Sequence, residues 1–186
     1  MLDALLYAVR DGIRADLSYD ARTCEIMADG HPPPRCGDIF VAIHELSTTG
    51  AGIGRLDEMF NFSVTVTQRV TIPLDRVGDQ MLARKLARAK GPGNTPSFNS
   101  RCEQLRAYLH ENWGLLQDAN TNIVDLLPDA SVAYGFCEPM KFRTMETPVF
   151  VGGEWFGAEP EAFEVGIKSE LQFQDCRRLQ GITTFI

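Results

Sequence analysis

The stretch FNFSVTVTQRVTIPL, residues 60–74, decides the fold. Phe60, Phe62, Val64, Val66, Val70, Ile72 and Leu74 take the even positions, with Gln68 the one interruption. Asn61, Ser63, Thr65, Thr67, Arg69, Thr71 and Pro73 take the odd ones. Successive side chains of a strand point to opposite faces, so this period predicts one long strand with a dry face and a wet face. A second stretch repeats it, Phe163, Val165, Ile167, Leu171 and Phe173 alternating with Glu164, Lys168, Glu170, Gln172 and Gln174. The two are expected in one antiparallel sheet, with direct pairing between them as one option. Fourteen strand steps span about 46 Å. A domain of this length is only roughly 40 Å across. The strand is therefore expected either to bend, at a bulge near Gln68–Arg69, or to project and seek partners in another chain.

Upstream, Leu2, Leu5, Leu6, Val9, Ile13 and Leu17 recur at steps of three and four, while Asp3, Arg10, Asp11 and Arg14 fall opposite. That stripe predicts an amphipathic helix over residues 2–17. Residues 18–37 read as loop with short extended pieces, since the run His31-Pro32-Pro33-Pro34 cannot be helical. Ile39–Ile43 is a continuous apolar run, the pattern of a strand buried on both faces. Ser47–Arg55 (STTGAGIGR) reads as a flexible turn-rich loop with Ile53 as its only large apolar side chain. It is expected to stay mobile until a partner covers it, which makes Gly50, Gly52, Ile53 and Gly54 candidate interaction residues.

Between the two alternating stretches lies a helical region. Asp79–Ala89 is rich in helix formers and carries a basic face of Arg84, Lys85, Arg88 and Lys90. After the break GPGNTP, a second helix is capped by Ser97, Asn99 or Ser100. Its apolar face is Cys102, Leu105, Leu109, Trp113 and Leu116. Asn120–Leu127 is expected to add a turn or two, and residues 134–156 to form short strands. Helix, strands, helices, strands predicts a single α+β domain over 1–186. It has a mainly antiparallel sheet of long strands packed against the N-terminal helix and the central helical segment.

Composition narrows the function. The chain has 186 residues, 25 acidic against 18 basic, with a net charge of −7. That balance disfavours binding to a phosphate backbone. No window reaches the roughly 18 apolar residues of a membrane span, and Asp3 sits where a secretory signal carries positive charge. The five cysteines are widely spaced, and neither they nor His31, His44 and His110 show metal-ligand spacing, so no metal, no cofactor and no disulfide are expected.

GAGIG at 50–54 resembles a dinucleotide fingerprint, but Arg55 replaces the third glycine and a strand follows instead of a helix. Cys36, His44 and Asp38 could be assembled on paper as a hydrolase, although nothing marks Cys36 as an activated thiolate. Asp57–Glu58 and Glu159/Glu161 read as solvated carboxylates. No catalytic residues emerge. The basic face at Arg84, Lys85 and Arg88, and Trp155 between glycines, remain candidate contacts.

The layout of an amphipathic helix, PPPRCGDIFVAIHEL, FNFSVTVTQRVTIPL, a helical segment, GGEWFGAEPEAF and EVGIKSELQFQDCRRLQ resembles a family. It is similar to the tail terminator and head–tail joining proteins of long-tailed bacteriophages, of the phage lambda tail terminator type. Residues 75–99 and 139–162 stand out as insertions. The resemblance implies a structural virion protein at the tail–neck junction. Its subunits would form a hexameric ring on the tail tube protein, facing the head connector, with DNA passing through unbound. A neck or head-completion ring is the nearest alternative. A small cysteine-dependent hydrolase and a monomeric binding module using the Trp155 loop are the others.

Overall fold

A computed structural model describes residues 2–27, 39–50, 57–76, 78–111, 133–151 and 163–180. Three helices, α1 (Leu2–Leu17), α2 (Gln80–Arg88) and α3 (Phe98–Glu111), accompany six strands. The strands are β1 (Cys24–Ile26), β2 (Ile39–Gly50), β3 (Asp57–Ile72), β4 (Ala133–Met145), β5 (Val149–Val151) and β6 (Phe163–Gln180). They form one sheet in the order β1-β2-β3-β6-β4, with β5 also on β6. Among the described residues only the β1–β2 pair is parallel. The fold is α+β, as the pattern predicts.

The two alternating stretches are direct neighbours. β3 and β6 pair without a register shift from Asp57↔Arg178 to Ile72↔Phe163. β3 therefore has no bulge at Gln68–Arg69. On its other edge β2 pairs with it from Ile39↔Gln68 to Gly50↔Glu58, so among the described residues Arg69–Ile72 pair with β6 alone. The expectation that this strand seeks partners in another chain is corrected for Glu58–Gln68, where both edges are paired within the chain. It stops at Ile72, short of the predicted Leu74, because Pro73 offers no N–H; Leu74 instead opens a 3-10 turn. The bulges fall on the flanking strands, at Glu45/Ser47 in β2 and at three places in β4.

Ser47–Gly50 is strand rather than loop, since Ser47↔Asn61 through Gly50↔Glu58 continue the ladder with threonines well suited to it. Residues 51–55 of the expected loop lie outside the described residues. Residues 133–145 are one 13-residue strand rather than several short ones, and Pro139 sits where its register with β6 shifts. A proline and repeated bulges suit an outermost strand, where a missing N–H breaks no second ladder.

The core lies on one face of the sheet. Leu5, Leu6, Val9 and Ile13 of α1 and Phe98, Cys102, Leu105 and Leu109 of α3 are buried. They join Val41, Ile43, Phe60, Phe62, Val64, Val66, Ile167, Leu171 and Phe173 in a single cluster. Phe62 and Phe173, opposite each other in register, stack at 5.4 Å between ring centroids. Trp113 and Leu116, predicted to extend the α3 face, and Asn120–Leu127 lie outside the described residues. Two polar links fix the helices. The Tyr108 hydroxyl of α3 donates to Asp16 of α1 at 2.6 Å. The Arg14 guanidinium donates to the Cys24 carbonyl at 2.6 and 2.9 Å and to Glu25 at 2.8 Å, fastening α1 to β1.

The opposite face is shielded at its middle, while Thr71 toward its end is exposed. Ser63, Thr65 and Thr67 are only 1%, 1% and 3% exposed. In register, Thr67 lies between Phe40 and Lys168, Thr65 between Ala42 and Glu170, and Ser63 between His44 and Gln172. Phe40 and Ala42 form a second small cluster with Met27. Short hydroxyl side chains in a central strand are overshadowed by longer neighbours, which corrects the wet-face expectation.

Candidate interaction surface

Helix α2 carries the basic face singled out from sequence. Asp79 is its N-cap, the carboxylate accepting from the backbone N–H groups of Met81 and Leu82 at 3.1 Å. Those bonds, with the Arg76 guanidinium at 3.1 Å, hold the Asp79 carboxyl below its ordinary pKa. Ala83 and Ala87 are buried and Leu82 and Leu86 half-buried, so the small residues let the helix seat closely. It packs on α3 and β5, and the Phe150 N–H donates to Gln80 Oε1 at 3.3 Å.

The side turned away is one stripe. Met81, Arg84, Lys85 and Arg88 stand at i, i+3, i+4 and i+7, and all four are exposed. Met81 is 71% exposed and Leu74, in the turn before the helix, 58%. Val149, next to the residue that bonds Gln80, is exposed as well. Cations in the last turn of a helix are stabilised by its dipole, which accounts for part of this pattern. It does not account for large apolar side chains among them. Between residues 75 and 90 the chain has five basic side chains against two carboxylates, in a protein whose total runs the other way. The surface is an exposed basic patch with apolar members on an acidic molecule.

The other sequence candidates divide. Gly50 is the last residue of β2, paired with Glu58. Gly52, Ile53, Gly54 and Trp155 lie outside the described residues. The carboxylate pair Glu159/Glu161, and Cys36 and Asp38 of the paper hydrolase, lie outside too. Its third member, His44, is buried with Nδ1 2.8 Å from the Met27 carbonyl, the partner expected of a structural histidine. His110 is exposed at the end of α3 and accepts the Phe142 N–H at 3.3 Å, tying β4 to the helix. Cys24 and Cys102 are free, and burial pushes both thiols up to about 12, which leaves them un-ionised and weakly nucleophilic. Among the described residues no cluster of His, Cys, Asp and Glu could hold a metal ion. None of the described helices is long and apolar enough to cross a membrane.

Sequence reading missed Leu74 and Met81. Leu74 falls on the dry face of the strand pattern and Met81 in an ordinary helical stretch, and only their exposure near the basic residues sets them apart. Compared with known proteins, the chain matches no family model and no curated protein.

Proposed function

We propose that this chain is a structural assembly subunit that closes into a ring by repeating one heterologous contact, with the α2 stripe as one half of it. The observation that carries the reading is that exposed basic and apolar stripe on a chain of net charge −7. Met81 and Leu74 supply apolar anchors, while Arg84, Lys85 and Arg88 set orientation against an acidic surface of the next copy. A patch that meets a different patch on an identical neighbour generates a ring when the rotation closes.

The placement of this ring at the head-proximal end of a phage tail rests on the resemblance of element order. There it would terminate the tail tube and meet the head connector. Support comes from the order of α1, long paired strands, central helices and long final strand. The acidic balance suits a bore through which DNA slides without being held. Native mass spectrometry and electron microscopy of the full chain test the ring, with and without tail tubes. Ring-sized species are expected, and the triple change Arg84→Glu, Lys85→Glu, Arg88→Glu should abolish them while leaving the fold intact by circular dichroism. A protein that stays monomeric at high concentration and on tail tubes overturns the reading. So does a triple variant that assembles normally.

A further inference from the structure

Away from α2, a half-open cleft of about 590 Å³ lies where the end of α1, the turn before β1, the start of β2, the end of β3 and the loop into α3 meet. That volume is in the range of small-molecule sites. Its walls include Ser18, Tyr19, Gln68, Arg69, Thr95 and Arg101. Among the described residues it is lined by two guanidiniums, a phenol, hydroxyls and an amide, with no carboxylate. In a chain with 25 acidic residues that is an unexpected local balance.

The guanidiniums come from separate elements, Arg69 from β3 and Arg101 from the first turns of α3. Arg69 reaches Glu164 at 3.8 Å, a long contact that satisfies little of a five-donor fork. Arg101 lines the same cleft as the Tyr19 hydroxyl, a neutral neighbour. Asp20, the carboxylate beside Tyr19, is occupied within its own turn. It accepts from the Arg22 and Thr23 N–H groups at 2.8 and 2.9 Å and from the Thr23 hydroxyl at 2.8 Å. The loop that forms the far wall is tight. The Gly91 N–H donates to the Thr95 carbonyl at 3.1 Å, and a Cβ on Gly91 would collide with Thr95 Oγ1.

We propose that this cleft binds a small multivalent oxyanion, a phosphate- or carboxylate-bearing ligand bridged between Arg69 and Arg101, with Tyr19 and Thr95 as further donors. Guanidinium forks match the paired oxygens of such groups, and the partly buried setting strengthens each charge-assisted bond. The site is independent of the assembly contact on α2.

Calorimetric titration of the full chain with pyrophosphate, citrate and inorganic phosphate, at ionic strength matched with chloride, tests it. One saturable site for pyrophosphate or citrate is expected. Arg101→Gln should weaken it about tenfold or more, and Arg101→Lys less, since charge remains but the fork is lost. Amide chemical shifts should move around Tyr19, Arg69 and Arg101. Should Arg101→Gln fail to fold, Arg69→Gln gives the same readout from a side chain with one long ion pair. No saturable binding by any probe overturns the proposal. So does binding unchanged in both variants, or shifts centred on Arg84, Lys85 and Arg88.

Discussion

Phe173→Ala is the change that most directly measures the joint between the two long strands. Phe173 is 0% exposed, stacks on Phe62 at 5.4 Å with ring planes 17° apart, and meets the Phe142 ring edge-on at 5.8 Å. Truncating a buried Phe costs about 3–5 kcal/mol, depending on how far the site can collapse. Collapse is limited here, because β6 is hydrogen-bonded to β3 on one side and β4 on the other, so the strands cannot close over the gap. The cost should fall in the upper half of that range. For a domain of this size it lowers Tm by roughly 10 °C or more. Urea unfolding followed by far-UV circular dichroism reads it as a shifted midpoint with an unchanged slope. Phe173→Leu should cost under about 1.5 kcal/mol, and it stays measurable if the alanine variant does not fold. A double-mutant cycle of Phe62→Leu with Phe173→Leu should leave a coupling of about 0.5–1.5 kcal/mol from the lost ring pair. A loss below about 1 kcal/mol for Phe173→Ala, or additive single changes, refutes the reasoning that this pair anchors the helix-covered face.

Two further outcomes follow from local geometry. Ser97 Oγ accepts the Ser100 N–H at 3.2 Å as the cap of α3, so Ser97→Ala should cost about 1 kcal/mol in urea unfolding, and Asn99→Ala at most about 0.5; equal losses refute the cap. Burial raises the Cys24 and Cys102 thiols to about 12, so the contribution of keeping them neutral is complete below the unfolded thiol pKa of about 8.5 and declines as pH climbs toward 12. At pH 8 both should resist Ellman's reagent in the native protein and react once denaturant is added; labelling of native Cys102 at the rate of a free thiol contradicts this.

By itself the sequence determined the fold class and the clearest elements, α1, β3 and β6. The period of two in 60–72 and 163–174 and the three-and-four spacing of Leu5, Val9 and Ile13 are local consequences of strand and helix geometry, which no partner is needed to set. It also determined which face of β3 is apolar, since alternation is a property of the single strand. What only the tertiary structure decided is what lies beside each strand. β6 pairs with all of β3 and β2 with Glu58–Gln68, so most of the strand finds both neighbours inside the chain. Ser63, Thr65 and Thr67 look solvated in a list of residues, yet cross-strand neighbours such as Phe40 and Lys168 shade them. Arg69 and Arg101 stand 32 positions apart with nothing in the sequence to join them. Their meeting in one cleft depends on how the start of α3 is placed relative to the end of β3. Exposure, pairing and convergence are relations between segments, and they exist only once the chain has packed.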